Sequence, residues 1–99
     1  MLIRSQNREV LINLNSMAGT EIAEGPIKTI ITSYITGCSY LLGEYSDKAK
    51  AMKVLDMIQE AYSEYQIMLN FSVSYLHEFK EKTDGFAIFQ MPEDSEVEA

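Results

Sequence analysis

The chain has 99 residues, 46% of them hydrophobic and 23% charged, with a net charge of −7. A chain of this size and composition can bury one core and is not expected to be disordered. More than half of the acidic excess comes from the carboxylates of the last seven residues, and no basic patch is present to neutralise phosphates. Binding to nucleic acid or to an anionic membrane is therefore disfavoured.

Cys38 is the only cysteine, so no internal disulfide can form, which is typical of a reducing compartment. The N-terminal segment carries Arg4, Arg8 and Glu9 and has no apolar run of signal-peptide length. No window approaches the roughly 20 apolar residues that a membrane span needs. We expect a cytoplasmic protein.

The first half of the chain has the patterns of β-structure. Alternating apolar residues in Leu2–Gln6 and Val10–Leu14, joined by a polar link, predict a β-hairpin. A short strand is expected at Thr20–Ala23. Gly25-Pro26 then interrupts the chain, and β-branched and aromatic residues predict strands at Ile27–Thr36 and, after the turn at Gly37, at Ser39–Tyr45.

A long amphipathic helix is predicted from Asp47 to Leu69, with Ser46 as its N-cap. Apolar residues recur there at steps of three and four, which places them on one face of a helix. This expected core face consists of Ala51, Leu55, Ile58, Tyr62, Tyr65 and Leu69. Glu60 and Glu64 fall on the opposite face, where we expect a solvated surface in preference to a metal site.

Beyond Leu69 the pattern is ambiguous, because Phe71, Val73 and Tyr75 alternate as in a strand while the helical stripe also continues. One helix through Lys82 would be about 54 Å long, more than a small sheet can cover. A break near Asn70 and a second, shorter helix are therefore favoured, although whether residues 70–82 form helix or strand stays open.

The last predicted strand, Phe86–Met91, rejoins the sheet before Pro92 stops the ladder. The expected fold is α+β: an antiparallel sheet of about five strands, with the long helix across one face and the short helix before the last strand. Residues 1–92 would form a single domain. Residues 93–99, acidic and nearly without apolar side chains, are expected to form a disordered tail.

Two residues are candidates for chemistry. His77 is the only histidine and has Glu78 and Glu81 nearby, but a transition-metal site needs further ligands that nothing in the sequence singles out. Cys38 could be a nucleophile, but an activated thiolate needs a nearby cation or helix N-terminus. There is no glycine-rich phosphate loop, no GxSxG and no CxxC. We therefore expect no catalytic, cofactor-binding or metal-binding residue.

The predicted helix has a second apolar flank made of Val54, Met57, Ala61 and Met68. With this flank its apolar arc spans roughly 160°, where a helix facing only its own core needs about 100°. The surplus can be covered by the chain's own C-terminal segment or by another chain. We predict that these four residues form a partner interface, with a homodimer as the first assembly.

Five stretches occur together in order: MLIRSQN at 1–7, LINL at 11–14, LGEYS at 42–46, VLDMI at 54–58 and FQMP at 89–92. In these stretches the chain resembles a family of small uncharacterised proteins of low-GC Gram-positive bacteria, often carried on prophages and conjugative elements. The resemblance implies a bacterial, mobile-element-associated protein and no known activity.

The sequence thus favours a small cytoplasmic, non-enzymatic interaction or regulatory accessory protein. One alternative is a small enzyme that uses Cys38 or His77. Another is an acidic inhibitor that mimics nucleic acid, which would need its carboxylates ordered on the body of the domain, whereas most of the excess lies in residues 93–99.

Overall fold

The computed structural model describes residues 1–69 and 88–98. These ranges form an α+β fold, as predicted, with one α-helix and six strands. The elements are β1 (Leu2–Arg4), β2 (Leu11–Asn13), β3 (Gly19–Glu24), β4 (Thr29–Ile35), β5 (Cys38–Tyr45), α1 (Lys48–Leu69) and β6 (Ile88–Gln90), with 3-10 turns at Leu14–Ser16 and Asp94–Glu96.

The strands form two three-stranded sheets, with the orders β2-β1-β6 and β3-β4-β5. The prediction of one antiparallel sheet of about five strands is therefore wrong. β6 pairs with β1 in parallel, with Phe89 opposite Ile3, so the chain end completes the first sheet instead of extending the second. Ile3 and Ile12 are directly paired and both buried, because this sheet turns one face into the core.

The first hairpin is present as predicted, with β1 and β2 shorter than the expected strands. Its turn is held by Ser5, whose backbone N–H donates to the Val10 carbonyl at 2.8 Å and whose Oγ accepts from the Val10 N–H at 3.0 Å. The Asn7 Oδ1 accepts from the Glu9 N–H at 3.0 Å. This local bonding holds Arg8 at φ +67°, a conformation that L-residues seldom adopt.

The second sheet is an antiparallel meander that contains the three strands predicted there. Gly37, at φ +79°, supplies the left-handed residue of the two-residue turn between β4 and β5. Thr29, Ile31 and Ser33 of β4 face the core, and the buried Ser33 hydroxyl is satisfied by donating to the Gly19 carbonyl at 3.1 Å.

Helix α1 packs across the second sheet and contacts all three of its strands. It begins at Lys48, one residue after the predicted start, and is helical through Leu69, the last described residue of this range. The N-cap, however, is Asp47 and not Ser46, since Asp47 Oδ1 accepts from the Lys50 N–H at 2.8 Å. Ser46 is instead bonded to Asp94 through both its backbone N–H and its hydroxyl.

The buried face of α1 is rotated from the predicted one. Ala51, Val54 and Ile58 are buried, whereas Leu55 is half-buried and Leu69 is 57% exposed. On a helix Val54 lies about 40° to one side of Ile58, and Leu55 about 60° to the other. Apolar side chains lie on both flanks of the helix, and the flank that faces the sheet is the one with Val54. Tyr62 and Tyr65 pack against the core, in line with the prediction.

Residues 93–98 are packed against the domain and do not form the disordered tail that their composition predicts. Glu93 and Glu96 form a capping box around the second 3-10 turn, and the Glu93 N–H donates to Glu96 Oε1 at 2.9 Å. Val97 is only 4% exposed and belongs to the core. β6 lies within the predicted last strand, while the predicted second helix lies outside the described residues.

Candidate interaction surface

The four residues of the predicted partner interface do not lie together on an open surface. Val54 is fully buried and Ala61 packs against the core. Met57 and Met68 are half-buried on the side of the helix next to that face. The structure thus assigns half of the predicted flank to the interior of the domain.

Cys38 is exposed at the β4–β5 turn, and its polar neighbour is Tyr40, two residues further along β5. A hydrogen bond with the Cys38 side chain raises the pKa of the Tyr40 phenol. A phenol with an ordinary pKa of about 10 supplies no positive charge and is a weak base at neutral pH. The pair therefore lacks the cation that activates a cysteine nucleophile. His77 lies outside the described residues.

No group of three or more His, Cys, Asp or Glu side chains in residues 1–69 and 88–98 is placed to hold a metal ion. Within the same ranges, no helix is both long and apolar enough to cross a membrane.

An open cleft of about 380 Å³ lies where β5 meets the C-terminal segment. It is lined by Gln6, Ile27, Lys28, Glu44, Tyr45, Ser46, Glu93 and Asp94. Several of its polar groups have partners within the domain: Lys28 Nζ is 3.0 Å from Glu44 Oε2, and the Tyr45 hydroxyl donates to the Pro92 carbonyl at 2.9 Å. The bonds of these groups stabilise the domain, and the cleft therefore presents few free polar groups to a ligand.

Two titratable groups of this region have shifted pKa values. Burial raises the pKa of the Tyr45 phenol, and the nearby charges of Glu93, Asp94 and Glu96 raise it further. The Ser46 N–H holds the pKa of the Asp94 carboxyl below its ordinary value, with help from the Ser46 hydroxyl and Lys50. The acidic end of the chain is therefore tied to the body by specific bonds.

Four exposed apolar side chains of the described residues lie near the β4–β5 turn. Tyr34, Ile35, Tyr40 and Leu41, which we call the hairpin patch, are each between 38% and 45% exposed. From the sequence alone, these residues indicated only strand formation. A signal was nevertheless present, because no charged residue occurs anywhere between Lys28 and Glu44.

The outer edge of β5 is closed along only part of its length. Near its C-terminal end the Gln6 N–H donates to the Leu42 carbonyl at 2.7 Å. The Gln6 side chain accepts from the Glu44 N–H at 2.9 Å and donates to the Glu44 carbonyl at 3.1 Å. Nearer the turn, at Ser39 and Leu41, no strand of the described ranges pairs with this edge.

Comparison of the chain with protein-family models, with curated proteins and with solved structures finds no match.

Proposed function

We propose that this protein works by association, as a small non-enzymatic interaction or regulatory accessory protein, and that its first partner is a second copy of itself. The observation that carries the proposal is the hairpin patch of Tyr34, Ile35, Tyr40 and Leu41. Scattered exposed apolar residues are normal on a monomer, but these four lie at the same end of one hairpin, Ile35 and Tyr40 on one face of the sheet and Tyr34 and Leu41 on the other. Exposed apolar side chains that lie close together are typical of contact surfaces. Tyrosine is moreover enriched in such surfaces, since it combines a large apolar area with a polar tip.

The charge distribution favours a second copy as the first partner. Two chains that each carry a net charge of −7 repel one another wherever their carboxylates are brought together. The hairpin patch lies within a stretch that has no charged residue, so two copies can meet there without opposing like charges. An isologous dimer is also the commonest closed assembly of soluble proteins.

The described chemistry adds nothing that favours an enzyme. Cys38 has a phenol as its polar neighbour, and in the cleft beside Tyr45 the phenol and the Lys28 ammonium already have partners. The resemblance to proteins of prophages and conjugative elements adds a proposed setting, the bacterial cytoplasm of cells that carry such an element. An accessory role in that setting needs association and no catalysis.

The proposal is tested by size exclusion coupled to light scattering over a wide range of protein concentrations. The parent is expected to shift from monomer to dimer, and Leu41→Glu is expected to remain monomeric, because it would bury a carboxylate at the contact. Leu11→Glu is the matched control, since Leu11 is also an exposed leucine on a strand of a sheet edge, at 50% against 45% for Leu41.

Met57→Glu, made alongside, examines the helix flank. If Met57→Glu abolishes association while Leu41→Glu does not, the interface lies on α1 and the hairpin patch is the wrong surface. A parent that stays monomeric at every attainable concentration overturns self-association.

A further inference from the structure

The free part of the β5 edge has a defined set of outward-pointing backbone groups. A two-residue turn is closed by a hydrogen-bonded pair, which here is Ile35–Cys38, and bonded pairs then alternate along the ladder. Ser33–Tyr40 is the next bonded pair. The N–H and C=O groups of Ser39 and Leu41 therefore point away from β4, toward the open side of the strand.

The bonds at the other end of β5 agree with this assignment. Both backbone groups of Glu44 are bonded to Gln6, so they too point away from β4. The register shifts by one residue between Ile31 and Thr32, which changes the outward positions from Glu44 below the irregularity to Leu41 and Ser39 above it. Gln6 thus closes the lower part of the edge, and within residues 1–69 and 88–98 no strand pairs with the upper part.

This part of the edge carries none of the charged residues or prolines that protect many edge strands from pairing, and the bulge at Leu42 marks its lower end. Natural edges are covered, very short, or marked by charged residues and proline. Of the other edge strands, β3 carries Glu21 and Glu24, and β2 and β6 are three residues long. From Cys38 to Leu41 the β5 edge has no charge and no proline. An edge of this kind can pair with the same edge of a second copy, because no like charges would then face each other.

We propose that two copies pair edge to edge through β5, antiparallel and about a two-fold axis at Tyr40. This rests on the proposed self-association and specifies its geometry. In this register Ser39 of one chain is bonded to Leu41 of the other and the reverse, which uses all the free backbone groups of both residues. The second sheets of the two chains then join into one continuous sheet, with β5 beside its copy at the centre.

The register makes the two Tyr40 residues a directly opposed, non-hydrogen-bonded pair, whose Cα atoms are about 4.5 Å apart in an antiparallel ladder. That spacing lies within the range of a disulfide. The pairing ends at Ser39 and Leu41, because the outer side of Leu42, which Cys38 of the other chain would face next, is already bonded to Gln6. The two native cysteines are too far apart to be linked.

The test is cysteine cross-linking of the full chain under mild oxidation. Tyr40→Cys in a Cys38→Ser background is expected to give a covalent dimer rapidly, at concentrations where the parent is dimeric. The parent and the control Leu11→Cys with Cys38→Ser are expected to give none at the same rate. If Tyr40→Cys links only when Cys38 is retained, the strands pair one register step away and the two-fold axis is not at Tyr40.

A second variant, Leu41→Pro, addresses the backbone bonds directly. The backbone N–H that proline lacks is the one that points away from β4 at Leu41, so the substitution should leave the fold of a single chain intact. The circular dichroism of the variant is expected to match that of the parent. The dimer loses a hydrogen bond at each of the two symmetry-related Leu41 positions and is expected to weaken at least tenfold. A parent that dimerises while Leu41→Pro dimerises equally well and Tyr40→Cys does not cross-link overturns edge pairing and leaves self-association standing. A monomeric parent overturns both.

Discussion

The side-chain amide of Gln6 is hydrogen-bonded to both backbone groups of Glu44, at 2.9 Å to the N–H and 3.1 Å to the carbonyl. Gln6 thereby takes the place that a residue of a neighbouring strand would occupy beside β5. The same Nε2 also donates to the Pro92 carbonyl at 3.1 Å, so one side chain joins the first hairpin, the second sheet and the C-terminal segment.

Removing this amide should destabilise the domain. Gln6→Ala leaves the two backbone groups of Glu44 without their partner, and we expect a loss of about 1 to 3 kcal/mol in the free energy of unfolding. Gln6→Glu should lose at least as much at neutral pH, because its carboxylate faces the carbonyls of Glu44 and Pro92 with no proton to donate. Denaturant unfolding measures both variants. Gln59→Ala, on the exposed side of α1, is the control, and an equal loss there would show that the Gln6 bonds contribute nothing.

Asp94 should give the domain part of its acid sensitivity. Because the folded-state pKa of Asp94 is held below its ordinary value of 3.8, its stabilising contribution is fully present above that pH. The contribution is lost as the pH falls through the folded-state pKa, when the carboxylate is protonated and its bonds with Ser46 and Lys50 weaken. Stability as a function of pH should therefore fall less steeply in the acid range for Asp94→Asn than for the parent.

The matched control for that measurement is Asp56→Asn, which removes an exposed carboxylate from the outer side of α1. Both variants lower the negative charge by the same amount, so a difference between them reports the local bonds of Asp94. If the two pH profiles coincide, the bonds of Asp94 with Ser46 and Lys50 do not contribute to the stability of the domain.

The face of α1 is testable with two neighbouring residues. Val54→Ala should lower the free energy of unfolding by about 2 kcal/mol, since it removes methyl groups from a fully buried site. Leu55→Ala removes a larger side chain from a half-buried position and should nevertheless have the smaller effect. Thermal or denaturant unfolding compares them directly. A larger loss for Leu55→Ala would restore the face predicted from the sequence.

The C-terminal segment should be required for stability in spite of its acidic composition. Deleting residues 93–99 removes the buried Val97 side chain and the bonds of Asp94 with Ser46, so we expect a lower melting temperature. Val97→Ser should reproduce part of the loss, because it places a hydroxyl in the core. Glu98→Ser, at the adjacent exposed position, serves as control. A truncated chain that melts like the parent would mean that the segment contributes nothing.

Local patterns were sufficient to predict the elements but not their assembly. The first hairpin, the strands of the second sheet and the start of α1 follow from alternation, from Gly37 and from helical spacing, all of which act within a few residues. The parallel pairing of Ile3 with Phe89 has no such signal, because it depends on contacts between the two ends of the chain. The face of the helix also escaped prediction, since apolar residues flank Ile58 on both sides.

The sequence did not single out the hairpin patch, for a related reason. The β-branched and aromatic residues that favour a strand also favour pairing of that strand with another chain when it lies at a sheet edge. Which strand lies at an edge depends on the order of the strands in the sheet. Once β5 is known to be an edge, the absence of charge from Cys38 to Leu41 acquires a meaning. The ordering of Glu93 to Glu98 was missed because composition outweighed one apolar residue, Val97, whose burial ties the segment down.

The pairing of β1 with β6 also bears on how the chain folds during synthesis. Leu2 leaves the peptidyl-transferase centre 86 positions before its partner Ile88, and ribosomes add about 5 to 20 residues per second, so β1 waits about 4 to 17 s for that partner. The second sheet and α1, whose contacts are closer in sequence, can form during this interval. Translation must pass Gln90 before the first sheet is complete, and until then β1 can pair only with β2 and has one edge without a partner strand.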